Sequence, residues 1–276
     1  MDLLEEKKNV FSQNGEDGII EEILRQIGPG GGICCEFGAW DGIHLSNCRR
    51  LILDGWRALM IEGDAARYQD LVSTYRDNPS VICVNRFVDD KANSLGSILK
   101  EHGIDELDFL SVDIDGYDYE ILKSLDVRPR IICIEVNAGH SPYSEQRIEP
   151  DIAKDNVGQP LPLFVRTADE MGYRLVCYTG NAFFVRDDMM KGTSLKELTC
   201  EEVYSGFLDH LSLPEKEWLY LVNLGVVPPY YRFANAQLGR GHLGIPFLRA
   251  LRMRCAAGGR KAVRDVRNIM TAGTAL

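Results

Sequence analysis

Residues 31–47, GGICCEFGAWDGIHLSN, run from a short apolar segment into a turn that contains Gly38 and Gly42. An apolar run of strand length, followed by glycines and then a helix-like segment, is typical of the first strand and turn of an open α/β sheet. Such sheets bind ligands at the carboxyl ends of their strands. A dinucleotide, a nucleotide phosphate and a cationic ligand are therefore the candidates for this turn.

The residues between the glycines discriminate among these ligands. A dinucleotide fingerprint has a second glycine where the backbone approaches a pyrophosphate, and this chain has Trp40 there. Glu36 and Asp41 would place like charges beside a phosphate, and no Gly-Lys-Ser/Thr sequence follows. The turn favours a positively charged ligand, and S-adenosylmethionine carries both an ammonium and a sulfonium group.

Strand-like and helix-like segments alternate after a predicted N-terminal helix at about 14–27. Apolar runs of strand length lie at 33–37, 58–62, 81–84, 108–112 and 130–136. This alternation predicts a parallel sheet with helices on both faces. A helix from 161 and a hairpin over 173–188 follow, which would add an antiparallel strand that nucleotide dehydrogenases lack.

Acidic residues follow the next two strands as well. Glu62 lies 20 residues after Gly42, where an acid is expected to accept hydrogen bonds from a ribose diol. Asp89 or Asp90, after the third strand, is placed to meet an adenine amino group. Each acid alone could instead cap a helix, but three at successive strand ends favour a nucleoside-containing ligand.

These motifs together resemble the FkbM-type family of S-adenosylmethionine-dependent methyltransferases. The resemblance is carried by EFGAWDGIHLSN (36–47), IEGD (61–64), LDFLSVDIDGYDYEILKSL (107–125) and IICIEVN (131–137), with FSQNGEDGIIEEIL (11–24) similar to the family's lead-in. It spans about residues 10–188. It implies a class I methyltransferase (Rossmann-like) fold, with a seven-stranded, mostly parallel sheet whose last strand is antiparallel. It also implies O-methylation, commonly of sugar hydroxyls in glycans, glycolipids or natural products.

The cofactor-binding residues expected from the turn, the strand ends and these motifs form one set. They are Gln13, Glu36, Gly38, Ala39, Trp40, Asp41, Gly42, Asn47, Glu62, Gly63, Asp89 and Asp113.

Methyl transfer to a sugar hydroxyl needs a general base or a metal ion, because the hydroxyl does not ionise unaided near neutral pH. Asp113 and His140 follow the fourth and fifth strands and are the candidate bases. Asp113, Asp115 and Glu135 are candidate Mg²⁺ ligands, although Asp115 could equally cap the next helix. The candidate contacts to the acceptor are Asn137, Tyr230 and Tyr231.

The composition limits which binding partners and which cellular compartment we expect. The formal net charge of -10 gives no broad cationic surface for nucleic acid. The eight cysteines show neither disulfide nor zinc spacing, which indicates buried thiols in a reducing compartment. The start of the chain does not resemble a secretory leader, and no apolar run reaches the roughly 18 residues of a membrane span. We expect a cytoplasmic protein.

The chain divides into three predicted segments. Residues 1–30 form a helical lead-in, 31–190 the S-adenosylmethionine-binding domain, and 191–276 a mainly helical extension with a basic tail. The tail is either a solvated helix face or a contact with an anionic membrane or glycolipid. A non-catalytic binding module and, less favoured, a nucleotide-dependent oxidoreductase remain the alternative functions, and the oligomeric state is open.

Overall fold

A mixed sheet of seven strands runs through the centre of the computed structural model, which describes residues 1–28, 30–88, 93–114, 116–137, 145–148 and 158–210. The strands are β1 (Ile33–Phe37), β2 (Arg57–Glu62), β3 (Val81–Asn85), β4 (Phe109–Val112), β5 (Ile131–Glu135), β6 (Tyr173–Tyr178) and β7 (Asn181–Arg186). Their order in the sheet is β3-β2-β1-β4-β5-β7-β6. Six strands are parallel, and β7 is antiparallel to both of its neighbours. The expected seven-stranded sheet with an antiparallel last strand is confirmed.

Helices connect the strands and cover the sheet. They are α1 (Glu16–Ile27), α2 (Arg49–Leu53), α3 (Ala65–Tyr75), α4 (Leu95–Glu101), α5 (Asp118–Ser124), α6 (Leu161–Glu170) and α7 (Cys200–His210), with short 3₁₀ helices at Leu3–Glu6 and Asp187–Met190. None of the helices in the described ranges is both long enough and apolar enough to span a membrane. Residues 211–276, which include the predicted basic tail, lie outside the described part, so the three-segment division stays a prediction.

The central strands are apolar because both of their faces are covered. The side chains of β4 are all buried, as are all but the first of β1 and all but the last of β5. Near-continuous apolar runs are what a parallel sheet covered by helices on both sides requires. β1 pairs with β2 on one side and with β4 on the other, so the chain reverses its winding direction at β1. The turns after β1 and β4 therefore flank the crevice in which open α/β sheets bind ligands.

An ion pair fastens the opposite, amino-terminal edge of the sheet. Asp108, just before β4, accepts hydrogen bonds from the backbone N–H of Ile33 at 3.0 Å and from the Arg130 guanidinium at 3.2 Å. Arg130 also donates to the carbonyls of Ile27 and Gly28, which end α1. The pair therefore joins the end of α1 to the starts of β1, β4 and β5.

The outer edge of the sheet at β6 is covered by segments from both before and after the sheet in the sequence. The backbone N–H of Leu198 donates to the carbonyl of Leu175 at 2.8 Å. The following helix α7 packs on β6, with Val203 and Phe207 buried. The short 3₁₀ helix Leu3–Glu6 also contacts β6.

Candidate active site

The turn after β1 lies directly against the end of β4. Gly38 has a φ of +66°, and a Cβ added there would collide with the carbonyl oxygen of Asp113. Gly42 has a φ of +72°, and a Cβ there would collide with the ring of Tyr75, whose hydroxyl donates to the Gly42 carbonyl at 2.7 Å. Both glycines are thus required by close packing within the protein, whereas the sequence had suggested close approach to a ligand. Their assignment as cofactor contacts stays a prediction.

Glu36 organises the loop that follows this turn. Its side chain is buried and accepts hydrogen bonds from the Ser46 hydroxyl at 2.5 Å and the Asn47 backbone N–H at 2.7 Å. Burial raises the pKa of Glu36 to about 7, although the bonds from Ser46, Asn47 and Cys48 oppose that rise. The buried carboxylate therefore holds the loop around Ser46 and Asn47 against the end of β1.

Asn47 joins the loop to the neighbouring strands. Its side-chain amide donates to the Ser111 hydroxyl of β4 at 3.0 Å and lies 3.7 Å from the Cys133 sulfur of β5. Asn47 is buried, and its Oδ1 has no hydrogen-bond partner among the described residues. A buried carbonyl oxygen without a donor calls for an explanation, since such atoms are rare in native proteins.

Glu62 connects the turns after β1 and β2. One carboxylate oxygen accepts from the backbone N–H of Trp40 at 2.9 Å, and the other accepts from that of Asp64 at 2.7 Å. Trp40 has a φ of +44°, which is uncommon for a residue with a side chain. The Glu62 carboxylate thus secures a strained residue of the turn. The Ala39 N–H donates to the carbonyl of Ile61 at 3.1 Å and fastens the same turn to β2.

Trp40 and Asp41 lie at the rim of the turn. The indole is 42% exposed, with the Arg67 guanidinium 5.2 Å from the ring centroid and the His44 ring at 5.8 Å. Asp41 accepts hydrogen bonds from the backbone N–H groups of Ile43 and His44, both at 2.9 Å. Burial raises the pKa of Asp41, but the hydrogen bonds from His44 and Ile43 outweigh burial, so the pKa lies below its ordinary value. Trp40 therefore presents an accessible aromatic surface rather than packing beneath the turn.

Two further aromatic side chains at this edge were not identified from the sequence. Phe87, two residues after β3, is 77% exposed, and a Cβ added to Gly63 would lie 2.5 Å from its ring. Tyr117, which precedes α5, is 53% exposed. An aromatic residue shortly after a parallel strand is the signal that could have identified both. Phe87 therefore covers the end of β2, next to Glu62.

The ends of β4 and β5 bring two predicted residues to neighbouring positions. Val112 is paired with Ile134, so Asp113 and Glu135 follow on adjacent strands, and both are half-buried. Asn137 is buried, and its backbone N–H donates to the Gln159 carbonyl at 3.1 Å. Within the described ranges no group of three or more His, Cys, Asp or Glu residues could hold a metal ion. The predicted residues that lie outside these ranges are Asp89 and its alternative Asp90, Asp115, His140, Tyr230 and Tyr231.

The lead-in that contains Gln13 is attached to the same edge through two carboxylates. Asp17 accepts from the backbone N–H groups of residues 10–12, each at 2.9 Å. Glu16 is fully buried and accepts from the Thr179 hydroxyl at 2.7 Å and the Asn181 amide at 3.3 Å, both beside the β6–β7 turn. Sequence reasoning did not single out either acid, because their partners lie far along the chain or on the backbone.

The strand order, with its antiparallel seventh strand and its glycine turn at the reversal point, is that of the class I methyltransferase fold. Residues 84–175 match the family model of the methyltransferase FkbM domain, so the resemblance found in the sequence is confirmed. No curated protein sequence matches the chain significantly.

Solved structures of low sequence identity are similar to parts of this chain. The N-terminal domain of EvdMO1 with SAH bound is 12% identical, with a TM-score of 0.40, and the match covers 63% of this chain and 80% of that domain. A SAM-dependent methyltransferase from Aquifex aeolicus is 13% identical, with a TM-score of 0.36 and coverages of 60% and 88%. A chain of the fibrillarin/Nop5p complex is 19% identical, with a TM-score of 0.36 and coverages of 56% and 71%. These matches concern the fold alone.

Proposed function

We propose that the protein is an S-adenosylmethionine-dependent O-methyltransferase whose acceptor is a hydroxyl of a sugar in a glycan, glycolipid or glycosylated natural product. The observation that carries the proposal is the contact between the glycine turn and the end of β4. The backbone of Gly38 lies against the carbonyl of Asp113, so the proposed cofactor turn and the proposed base are neighbours. The FkbM family match supports a methyltransferase, and the acceptor class is the one that the resemblance in the sequence implies.

The residues at this edge fit S-adenosylmethionine. Asn47 Oδ1 is an unpartnered buried acceptor, Glu62 lies at the end of β2, and Phe87 offers an exposed ring beside it. Aromatic faces and carboxylates are suited to a purine and to a ribose diol, respectively. When bound, the cofactor supplies a methyl group on a positively charged sulfur. Glu62 and Phe87 would hold the nucleoside, and the turn from Gly38 to Gly42 would hold the methionine part.

Asp113 is the proposed general base. Asp113 would accept the proton of the acceptor hydroxyl and so make its oxygen a better nucleophile toward the methyl group that the cofactor would supply. His140 is the alternative base, and Asn137, Tyr230 and Tyr231 are proposed acceptor contacts. We also propose that Mg²⁺ assists by binding Asp113, Asp115 and Glu135, since carboxylates suit this ion.

Labelled methyl transfer from S-adenosylmethionine to a glycan extract of the host tests the proposal. We expect label in an ether linkage to a sugar, and Asp113→Asn should lower kcat by at least about 100-fold. Asp105→Asn, which changes an exposed aspartate before β4, is the matched control and should retain activity. Label on nitrogen or carbon would contradict O-methylation. Turnover that is unchanged by EDTA would exclude the metal.

A cytoplasmic location is part of the proposal. The seven described cysteines are free, and five of them are buried, as expected for thiols in a reducing compartment. The basic tail would contact an anionic membrane or glycolipid if the acceptor is lipid-linked, and vesicle co-sedimentation of the full chain measures this contact.

A further inference from the structure

Arg49, the first residue of α2, is a half-buried cation without a carboxylate partner. No carboxylate oxygen of a described residue lies within 4.0 Å of its guanidinium nitrogens. Its Nε is buried and has no hydrogen-bond partner among the described residues. Every other half-buried arginine in the described ranges forms an ion pair, and these are Arg86, Arg130, Arg174 and Arg186. Buried polar groups in native proteins are normally partnered, so this guanidinium calls for an acceptor.

Two aromatic rings hold the Arg49 guanidinium beside the glycine turn. It lies over the ring of Phe11 in the lead-in, at 5.8 Å, and over the ring of Tyr75, at 5.3 Å. The Tyr75 hydroxyl donates to the carbonyl of Gly42 at 2.7 Å. Burial raises the pKa of that hydroxyl, and the nearby charge of Arg49 opposes the rise. The guanidinium therefore lies next to the end of the turn that is proposed to hold the methionine part of the cofactor.

The acids at this edge of the sheet create a need for such a cation. Glu36 and Glu62 lie in the last turn-facing positions of β1 and β2, and both are buried. Their negative charges would repel the carboxylate of an amino acid group that binds between them. Of the other described cations near the turn, His44 is paired with Asp41, and Arg67 is exposed at the rim. The unpaired guanidinium on α2 is therefore the group best placed to receive a ligand carboxylate.

We propose that Arg49 binds the carboxylate of the amino acid group of S-adenosylmethionine, with Phe11 and Tyr75 holding the guanidinium in place. This inference rests on the proposed function. A planar guanidinium can donate two parallel hydrogen bonds to one carboxylate, which a lysine ammonium cannot do. The two rings restrict the motion of the side chain before the ligand arrives, so less side-chain entropy is lost on binding. Arg49 thus recognises the one group of the cofactor that the neighbouring acids repel.

Calorimetric titration of the full chain tests the proposal without requiring an acceptor. The probes are S-adenosylmethionine and its decarboxylated form, which keeps the sulfonium, the ammonium and the nucleoside and lacks only the carboxylate. The wild type should bind S-adenosylmethionine at least roughly tenfold more tightly than the decarboxylated form. Arg49→Gln should weaken S-adenosylmethionine by a similar factor and the decarboxylated form by less than about twofold. Arg49→Lys keeps the charge but not the planar donor pair, so it should retain only part of the preference.

Arg50→Gln is the matched control, because it removes the same charge from the next residue of α2, which is exposed and paired with Asp54. It should leave both affinities at their wild-type values. Equal weakening of both ligands by Arg49→Gln would overturn the inference and leave the proposed function intact. Equal affinities of the wild type for the two ligands would do the same, and this measurement needs no variant that might not fold. Failure of the wild type to bind either ligand would overturn the proposed function and this inference together.

Discussion

Glu36 couples the stability of the fold to pH through a single buried carboxyl group. Its pKa is about 7 in the folded protein against an ordinary value of 4.5, so the folded state binds the proton more tightly than the unfolded state. The stability that protonated Glu36 contributes is therefore fully present below the unfolded pKa and is lost as pH rises through the pKa of the folded state. The loss is at most about 3 kcal/mol, from the difference between the two pKa values.

Glu36→Gln is expected to reduce this pH dependence. The amide can still accept from the Asn47 N–H and can donate to the Ser46 hydroxyl, but it does not titrate. Urea denaturation at pH values from about 5 to 8 should give a smaller decrease in the free energy of unfolding than in the wild type. Glu21→Gln, an exposed change on α1, should retain the wild-type slope. An unchanged slope in Glu36→Gln would show that another group is responsible.

Gly38 cannot be replaced without moving β4. Gly38→Ala is expected to destabilise the protein by about 3 kcal/mol, because the new Cβ collides with the Asp113 carbonyl and the backbone has a positive φ. Gly55→Ala separates the two causes, since Gly55 has a φ of +93° but nothing within 4 Å of the added Cβ. Its expected cost is only about 1 kcal/mol. Equal costs in denaturant titrations would mean that the contact with Asp113 is unimportant.

Much of the architecture could be predicted at the scale of the element. The apolar runs of β1 to β5 and the hairpin of β6 and β7 were located to within one residue or so, because burial on both faces gives a strong sequence signal. The start of the helix after β1 is set by a side chain of the preceding loop. Ser46 donates to Glu36 and accepts from the Arg49 N–H, so its side chain terminates the loop and α2 starts at Arg49.

The candidate site was less predictable because its contacts join distant parts of the chain. The acids at the ends of β1 and β2 could be identified from their positions at strand ends. The groups in the protein that hydrogen-bond to them could not be identified from the sequence. Glu16 contacts Thr179, which is 163 residues away, and no local pattern indicates such a pair. Phe87 follows β3 by two residues, but the sequence alone does not show that its ring remains exposed.

The link between α1 and the amino-terminal edge should contribute substantially to stability. Asp108→Ala removes the partner of Arg130, whose side chain is only 15% exposed, and leaves the Ile33 N–H without its acceptor. We expect a loss of about 3 kcal/mol in the free energy of unfolding. Asp54→Ala breaks the exposed pair with Arg50 and should cost less than about 0.5 kcal/mol. Similar losses for the two variants would contradict the proposed importance of the Asp108–Arg130 link.

At the scale of the whole molecule, ligand binding should stabilise the fold. S-adenosylhomocysteine at 100 times its Kd should add about 2.7 kcal/mol to the free energy of unfolding, because it binds only the folded state. The midpoint of urea denaturation measures this effect. NAD⁺ at the same concentration is the control and should leave the midpoint unchanged. Stabilisation by NAD⁺ but not by S-adenosylhomocysteine would contradict the cofactor assignment and favour the oxidoreductase.

The covering of β6 also matters for the behaviour of many copies at high concentration. A bare outer strand offers unpaired N–H and C=O groups to the strands of other molecules and so promotes aggregation. The hydrogen bond from Leu198 to Leu175 and the packing of α7 occupy that side of the strand. Residues 194–210 thus protect this edge strand from pairing with the strands of other molecules, and this role is independent of any ligand in the crevice between the turns after β1 and β4.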